Sequence, residues 1–99
     1  MKFTTFEKEE LTYKLEVIRD NDEWLKDIQK TAGDIDVLIK KVEENGELDR
    51  WEFETLAEEA ENLLEIAEAN YSGGFPEYYP DVRKLRKLNS KFEGGYETH

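Results

Sequence analysis

The sequence predicts an all-α fold, a small antiparallel helical bundle of three long helices and one short one. Three observations carry the expectation. Apolar residues recur three and four apart over most of the chain, glycines and capping residues fall where those stretches stop, and no useful segment alternates with the period of a strand.

Thr4 followed three residues later by Glu7 forms a capping-box pattern ahead of Leu11, Leu15, Ile18, Leu25, Ile28 and Ala32, which keep to one helical face. This predicts a first helix over about 5–32. Asp22 falls where that stripe should be apolar, and Asp20 with Glu23 can cap, which leaves a bend or restart near Asp20 to Asp22 as the alternative. Gly33 is expected to stop the segment and Asp34 to cap a short second helix facing inward through Ile35, Leu38, Ile39 and Val42, with Gly46 at its end. Asp49 and Glu52 form a second capping box before the most regular apolar stripe: Trp51, Phe53, Leu56, Ala57, Ala60, Leu63, Leu64, Ala67 and Tyr71. Ser72-Gly73-Gly74 closes that third helix. Phe75 to Tyr79 is expected to be an extended or turning connector, because residues before proline avoid the α region. Pro80 suits the first turn of a last helix that turns Val82, Leu85, Leu88 and Phe92 toward the core. One domain over 1–93 and a flexible tail over 94–99 complete the expected organisation.

Apolar residues make up 37% of the 99 and charged residues 39%, with twelve aromatics, too many large apolar side chains for a disordered acidic tail. The net charge of −11 opposes direct binding to nucleic acid or anionic membrane, since both need Lys and Arg on the contact surface, and favours a basic protein partner. With no cysteine, disulfides and thiolate metal sites are excluded. The N-terminal residues lack the apolar run of a signal peptide and no eighteen consecutive residues are apolar, so a cytoplasmic protein is expected. Charge is uneven: residues 43–68 carry eleven acids and one base, whereas Arg83, Lys84, Arg86, Lys87 and Lys91 make the last helix basic and are expected to balance acidic neighbours.

Glu54, Glu58, Glu61, Glu65 and Glu68 follow one another at four- and three-residue spacing, a stripe about 120° around the third helix from its apolar face. Such neighbours repel by a few tenths of a kcal/mol per pair, so the stripe costs stability and becomes a candidate for partner binding. Tyr71, Phe75, Tyr78 and Tyr79 crowd the following connector; they suit a binding surface, because tyrosine supplies large area with a polar tip, or equally a plug at the end of the bundle.

No catalytic constellation accompanies these residues. Carboxylate pairs such as Glu58 with Glu61 lie on the solvated side, and a catalytic pair needs environments different enough to separate its pKa values. The sole histidine is His99, so neither a Glu-x-x-His metal bundle nor a histidine-activated Ser72 or Ser90 is available. Gly46 to Phe53 matches the second half of an EF-hand calcium loop, but counting back puts Lys41 at the first ligand place, where an ammonium repels the ion. A helix stop followed by a capping box accounts for the same residues. No enzyme activity, cofactor or metal is therefore expected.

Tyr78-Tyr79-Pro80 in a small acidic helical chain resembles the Tyr-Tyr-Pro segment of colicin nuclease immunity proteins, which implies pairing with a basic nuclease. The resemblance spans those three residues; the family's acidic position three places before the first tyrosine falls here on Phe75, and its helix layout differs. The stripe spans about 21 Å, one charge per roughly 5 Å, against one per roughly 1.7 Å along duplex DNA. It needs Glu43, Glu44, Glu47, Glu52, Glu59, Asp34 and Asp36 on the same surface to approach a single strand. The expected function is an acidic protein-binding module of phage or mobile-element type, a possible DNA mimic inhibiting a basic nucleic-acid-handling protein. The alternative is a structural or homodimeric bundle subunit that hides Phe3, Tyr13, Val17 and Trp24 against its mate.

Overall fold

A computed structural model describes residues 1–98 and is helical throughout, with no strand among the described residues. The α-helices are Thr5–Arg19 (α1), Asp22–Ile28 (α2), Ala32–Glu44 (α3), Arg50–Ser72 (α4) and Tyr79–Ser90 (α5), with 3-10 turns at Pro76–Tyr78 and Tyr96–Thr98. Five helices replace the four expected. Residues 1–48 form one compact unit and the chain from Asp49 onward a second.

In the first unit, α1 opens on the Thr4–Glu7 capping box, each residue bonding the other's backbone N–H. The expected helix over 5–32 is divided. It stops at Arg19, and Asn21 starts α2 by accepting the Trp24 N–H at 3.1 Å, so the local cap at Asn21 prevails over continuation of the apolar stripe. Ile28 and Ala32, assigned inward on an unbroken helix, are consequently exposed.

Gln29 ends α2 in the left-handed region at φ 57°, where the Lys30 N–H returns to the Leu25 carbonyl at 3.0 Å. That six-to-one closure satisfies a terminal carbonyl. Thr31, and not Asp34, caps α3; Asp34 is its capping-box partner, and Gly33 lies inside the first turn. Asn45 at φ 54° closes α3, with the Gly46 N–H on the Lys41 carbonyl at 2.8 Å. Asparagine, not glycine, supplies the left-handed residue here, because its short polar side chain tolerates that region.

The Asn45 side chain also accepts the Phe3 N–H at 2.9 Å, and Arg19 reaches Asp36 at 2.9 Å. Residue 3 against 45 and 19 against 36 make α1 and α3 antiparallel. Between them lie the buried side chains of Leu11, Leu15, Ile18, Ile35, Leu38 and Val42. Asp36, and secondarily Asp20, hydrogen-bond the Arg19 guanidinium and raise its pKa further.

In the second unit, α4 starts on Asp49, whose N–H donates to Glu52 at 2.7 Å, and runs 23 residues. Its buried face is Phe53, Leu56, Ala60, Leu63 and Ala67, and α5 returns along it through Val82, Leu85 and Leu88, with Phe92 following. Asn89 Nδ2 donates to the Ala60 carbonyl at 2.9 Å and to its own Leu85 carbonyl at 2.8 Å. Ala60 has no side chain beyond Cβ, which lets the amide reach its backbone. Arg86 meets Glu68 at 3.2 Å, so residue 60 against 89 and 68 against 86 set these helices antiparallel. Gly74 at φ 99° makes the turn after α4. Of the extended and turning connectors expected, the turning one is found, a 3-10 turn beginning at Pro76, since proline's fixed φ suits a helical first turn.

Candidate partner-binding surface

Helix α4 is long enough to carry the whole glutamate stripe on one continuous face. Glu54, Glu58, Glu61 and Glu65 are exposed and Glu68 is half-buried. The stripe is not free of cations, as its spacing alone suggests. Arg50 lies 3.8 Å from Glu54 one turn before it, and Arg86 of α5 pairs with Glu68. Among the described residues, Glu58, Glu61 and Glu65 have no ion-pair partner, so the unneutralised stretch is three carboxylates along about 10 Å of helix.

Two acids expected to widen that surface are inside the protein. Glu52 is 1% exposed because it is committed to the cap of α4, and Glu59 is 7% exposed and accepts a hydrogen bond from Asn62 at 3.2 Å. Glu43, Glu44, Glu47, Asp34 and Asp36 belong to the other unit. The charge density of α4 therefore falls further below that of nucleic acid than the sequence implied.

At its C-terminal end the stripe runs into the aromatic residues. Glu68, Tyr71 and Ser72 stand at i, i+3 and i+4 on α4, and with Tyr79, Val82 and Arg86 they line a cleft of about 200 Å³. Tyr71 and Tyr79 are 43% and 46% exposed, their ring centroids 5.4 Å apart and tilted 41°. Phe75, 52% exposed, meets the half-buried Tyr78 edge to face at 6.4 Å. Three of the four rings are thus presented to solvent. Tyr71, assigned to the buried stripe by its period, stands open to solvent at this cleft.

A second aromatic and acidic grouping stands at the other end of α4, in residues the sequence assigns to a tail. Gly94 and Gly95 adopt φ of 85° and 79°, and the following 3-10 turn sets Tyr96 edge to face with Phe53 at 5.8 Å. The Arg50 guanidinium lies 5.6 Å from the Tyr96 ring centroid and pairs with Glu97 as well as Glu54. The double glycine was the available signal, since two residues that accept positive φ allow a sharp return.

Elsewhere the expected features divide. Phe3 is buried, its backbone tied to Asn45, so it is not part of an exposed dimer edge; Tyr13, Val17 and Trp24 are exposed. The Gly46 turn is built as the closure of α3 followed by the cap of α4. Among the described residues no group of three or more His, Cys, Asp or Glu side chains is placed to hold a metal ion, and no helix is long and apolar enough to cross a membrane. Comparison of the chain with protein-family models, curated proteins and solved structures finds no match.

Proposed function

We propose that this chain is a protein-binding module whose α4 face engages a basic surface of a nucleic-acid-handling protein and blocks it. The observation that supports this most is the continuity of Glu58, Glu61 and Glu65, exposed and unpaired among the described residues, with exposed Tyr71, Phe75 and Tyr79. Carboxylates steer a basic partner in, and the rings supply contact area that survives desolvation. Imitation of a duplex is the weaker version, because three free charges over about 10 Å are too few. The reading does not require catalysis: the surface needs only shape and charge.

The test uses E58K/E61K/E65K. Retention of basic proteins from a bacterial lysate at low and high salt is compared between parent and variant, with the retained proteins identified. Nucleic-acid-binding proteins held by the parent at low salt and lost by the variant are the expected result. Equal retention by both would reduce the stripe to a solubility feature and remove the proposal. A homodimeric subunit is the second reading, supported by exposed Tyr13 at 65%, with Val17 one turn on and Trp24 on α2.

A further inference from the structure

We propose that the cleft beside the Tyr71–Tyr79 ring pair receives an arginine side chain of the basic partner, with Glu68 as the carboxylate that pairs its guanidinium. The inference rests on the function proposed above and adds which side chain the surface selects.

The cleft is lined by two aromatic rings, the Glu68 carboxylate, Ser72, Val82 and the chain's own Arg86. A guanidinium is planar, can stack on an aromatic face while bonding a carboxylate edge-on, and sheds water more readily than an ammonium. The same molecule already holds an arginine this way. Arg50 lies over the Tyr96 ring at 5.6 Å while pairing with Glu54 and Glu97, an aromatic face and carboxylates around one guanidinium.

At the Tyr71 cleft, the chain's own Arg86 engages Glu68 at 3.2 Å, but its side chain is 61% exposed. Arg86 therefore occupies the carboxylate without being locked there. An incoming arginine exchanges one ion pair for another and gains stacking, whereas a lysine gains little beyond charge. Charge alone does not choose the guest, because Glu68 and Arg86 balance each other; the rings favour a planar cation over an anion.

The test measures binding of fluorescein-labelled hexa-arginine and hexa-lysine to the full chain by anisotropy at low salt. Hexa-arginine should bind about 2- to 5-fold more tightly, the equivalent of one exposed cation–π contact. Y71L/Y79L should abolish that preference while leaving hexa-lysine within about 2-fold of the parent, an effect of ring loss and not of charge. R86A, which removes the internal competitor, should tighten hexa-arginine binding.

Ring-proton shifts of Tyr71 and Tyr79 on adding hexa-arginine to the unmodified chain, larger than those on adding hexa-lysine, check the contact without any substitution. Equal affinity for the two peptides, or weaker arginine binding by R86A, overturns the cleft assignment. E58K/E61K/E65K separates the two readings: it should weaken both peptides alike and keep their ratio. Equal binding of both peptides by the parent, lost in this variant, defeats the cleft alone, and failure of both peptides to bind the parent defeats both readings.

Discussion

Thr31 and Asp34 show how one pair of side chains starts a helix in a chain crowded with acids. The Asp34 carboxylate accepts the Thr31 N–H at 2.9 Å, and chiefly that bond holds its pKa below the ordinary 3.8, against a smaller opposing effect of desolvation. A carboxyl depressed in the folded state contributes stability that is present above its unfolded pKa and lost as pH falls through the folded one. Asp34→Asn keeps an acceptor but cannot titrate. The parent's helicity advantage over this variant, followed by circular dichroism, should be constant near neutrality and shrink as pH falls below about 4. An advantage that persists unchanged into acid would show that the charge of Asp34 does not matter. The pairing is visible in the sequence only in part: Asp34 is a recognisable capping residue, but taking Gly33 as the boundary puts the cap three residues late and passes over Thr31.

Among elements, the division of the expected first helix is the largest departure from the apolar period. Leu11, Leu15, Ile18 and Leu25 are all buried as the stripe requires. What the period could not convey is that Asn21 caps locally and Gln29 accepts a left-handed conformation, which glutamine seldom does. Gln29→Gly should accordingly stabilise the chain by about 0.5–1 kcal/mol in chemical denaturation, relief of the left-handed cost exceeding the entropy glycine adds to the unfolded chain. A loss of stability instead would mean that the Gln29 side chain contributes more than its backbone costs. For α4 and α5 the period, caps and Pro80 suffice: Thr55 with Glu58 repeats the capping pattern inside α4, but the buried stripe Phe53, Leu56, Ala60, Leu63 and Ala67 continues through it without a gap. The ion pairs of Glu54 and Glu68 were less legible: Arg50 lies outside the stripe in sequence, and Arg86 comes from a different helix.

At the scale of the molecule, the formal charge divides almost evenly, −5 over residues 1–48 and −6 over 49–99, so acidity as such does not single out a surface. Exposure does not either, since Glu9, Glu16, Glu23 and Glu43 are exposed as well; the α4 stripe differs in running on to the exposed rings of Tyr71, Phe75 and Tyr79. Light scattering at micromolar concentration should give the 11.7 kDa of one chain if Tyr13, Val17 and Trp24 do not pair between copies. Twice that mass would favour the homodimeric subunit.

The closure of α3 also bears on how the protein ages. Asn45-Gly46 is the chain's sole Asn-Gly step, the dipeptide in which the glycine amide nitrogen most easily attacks the neighbouring side-chain carbonyl and expels ammonia, giving a succinimide that water opens to aspartate or isoaspartate. Both reacting groups are engaged here, the Gly46 N–H by the Lys41 carbonyl and the Asn45 amide oxygen by the Phe3 N–H. The fold should therefore act as a brake on deamidation at Asn45, measurable by peptide mapping as slow conversion in buffer and faster conversion in denaturant. Once formed, isoaspartate would add a backbone atom where α3 must turn left-handed and take away the amide that anchors Phe3, so the damage should loosen the start of α1 and the end of α3 together.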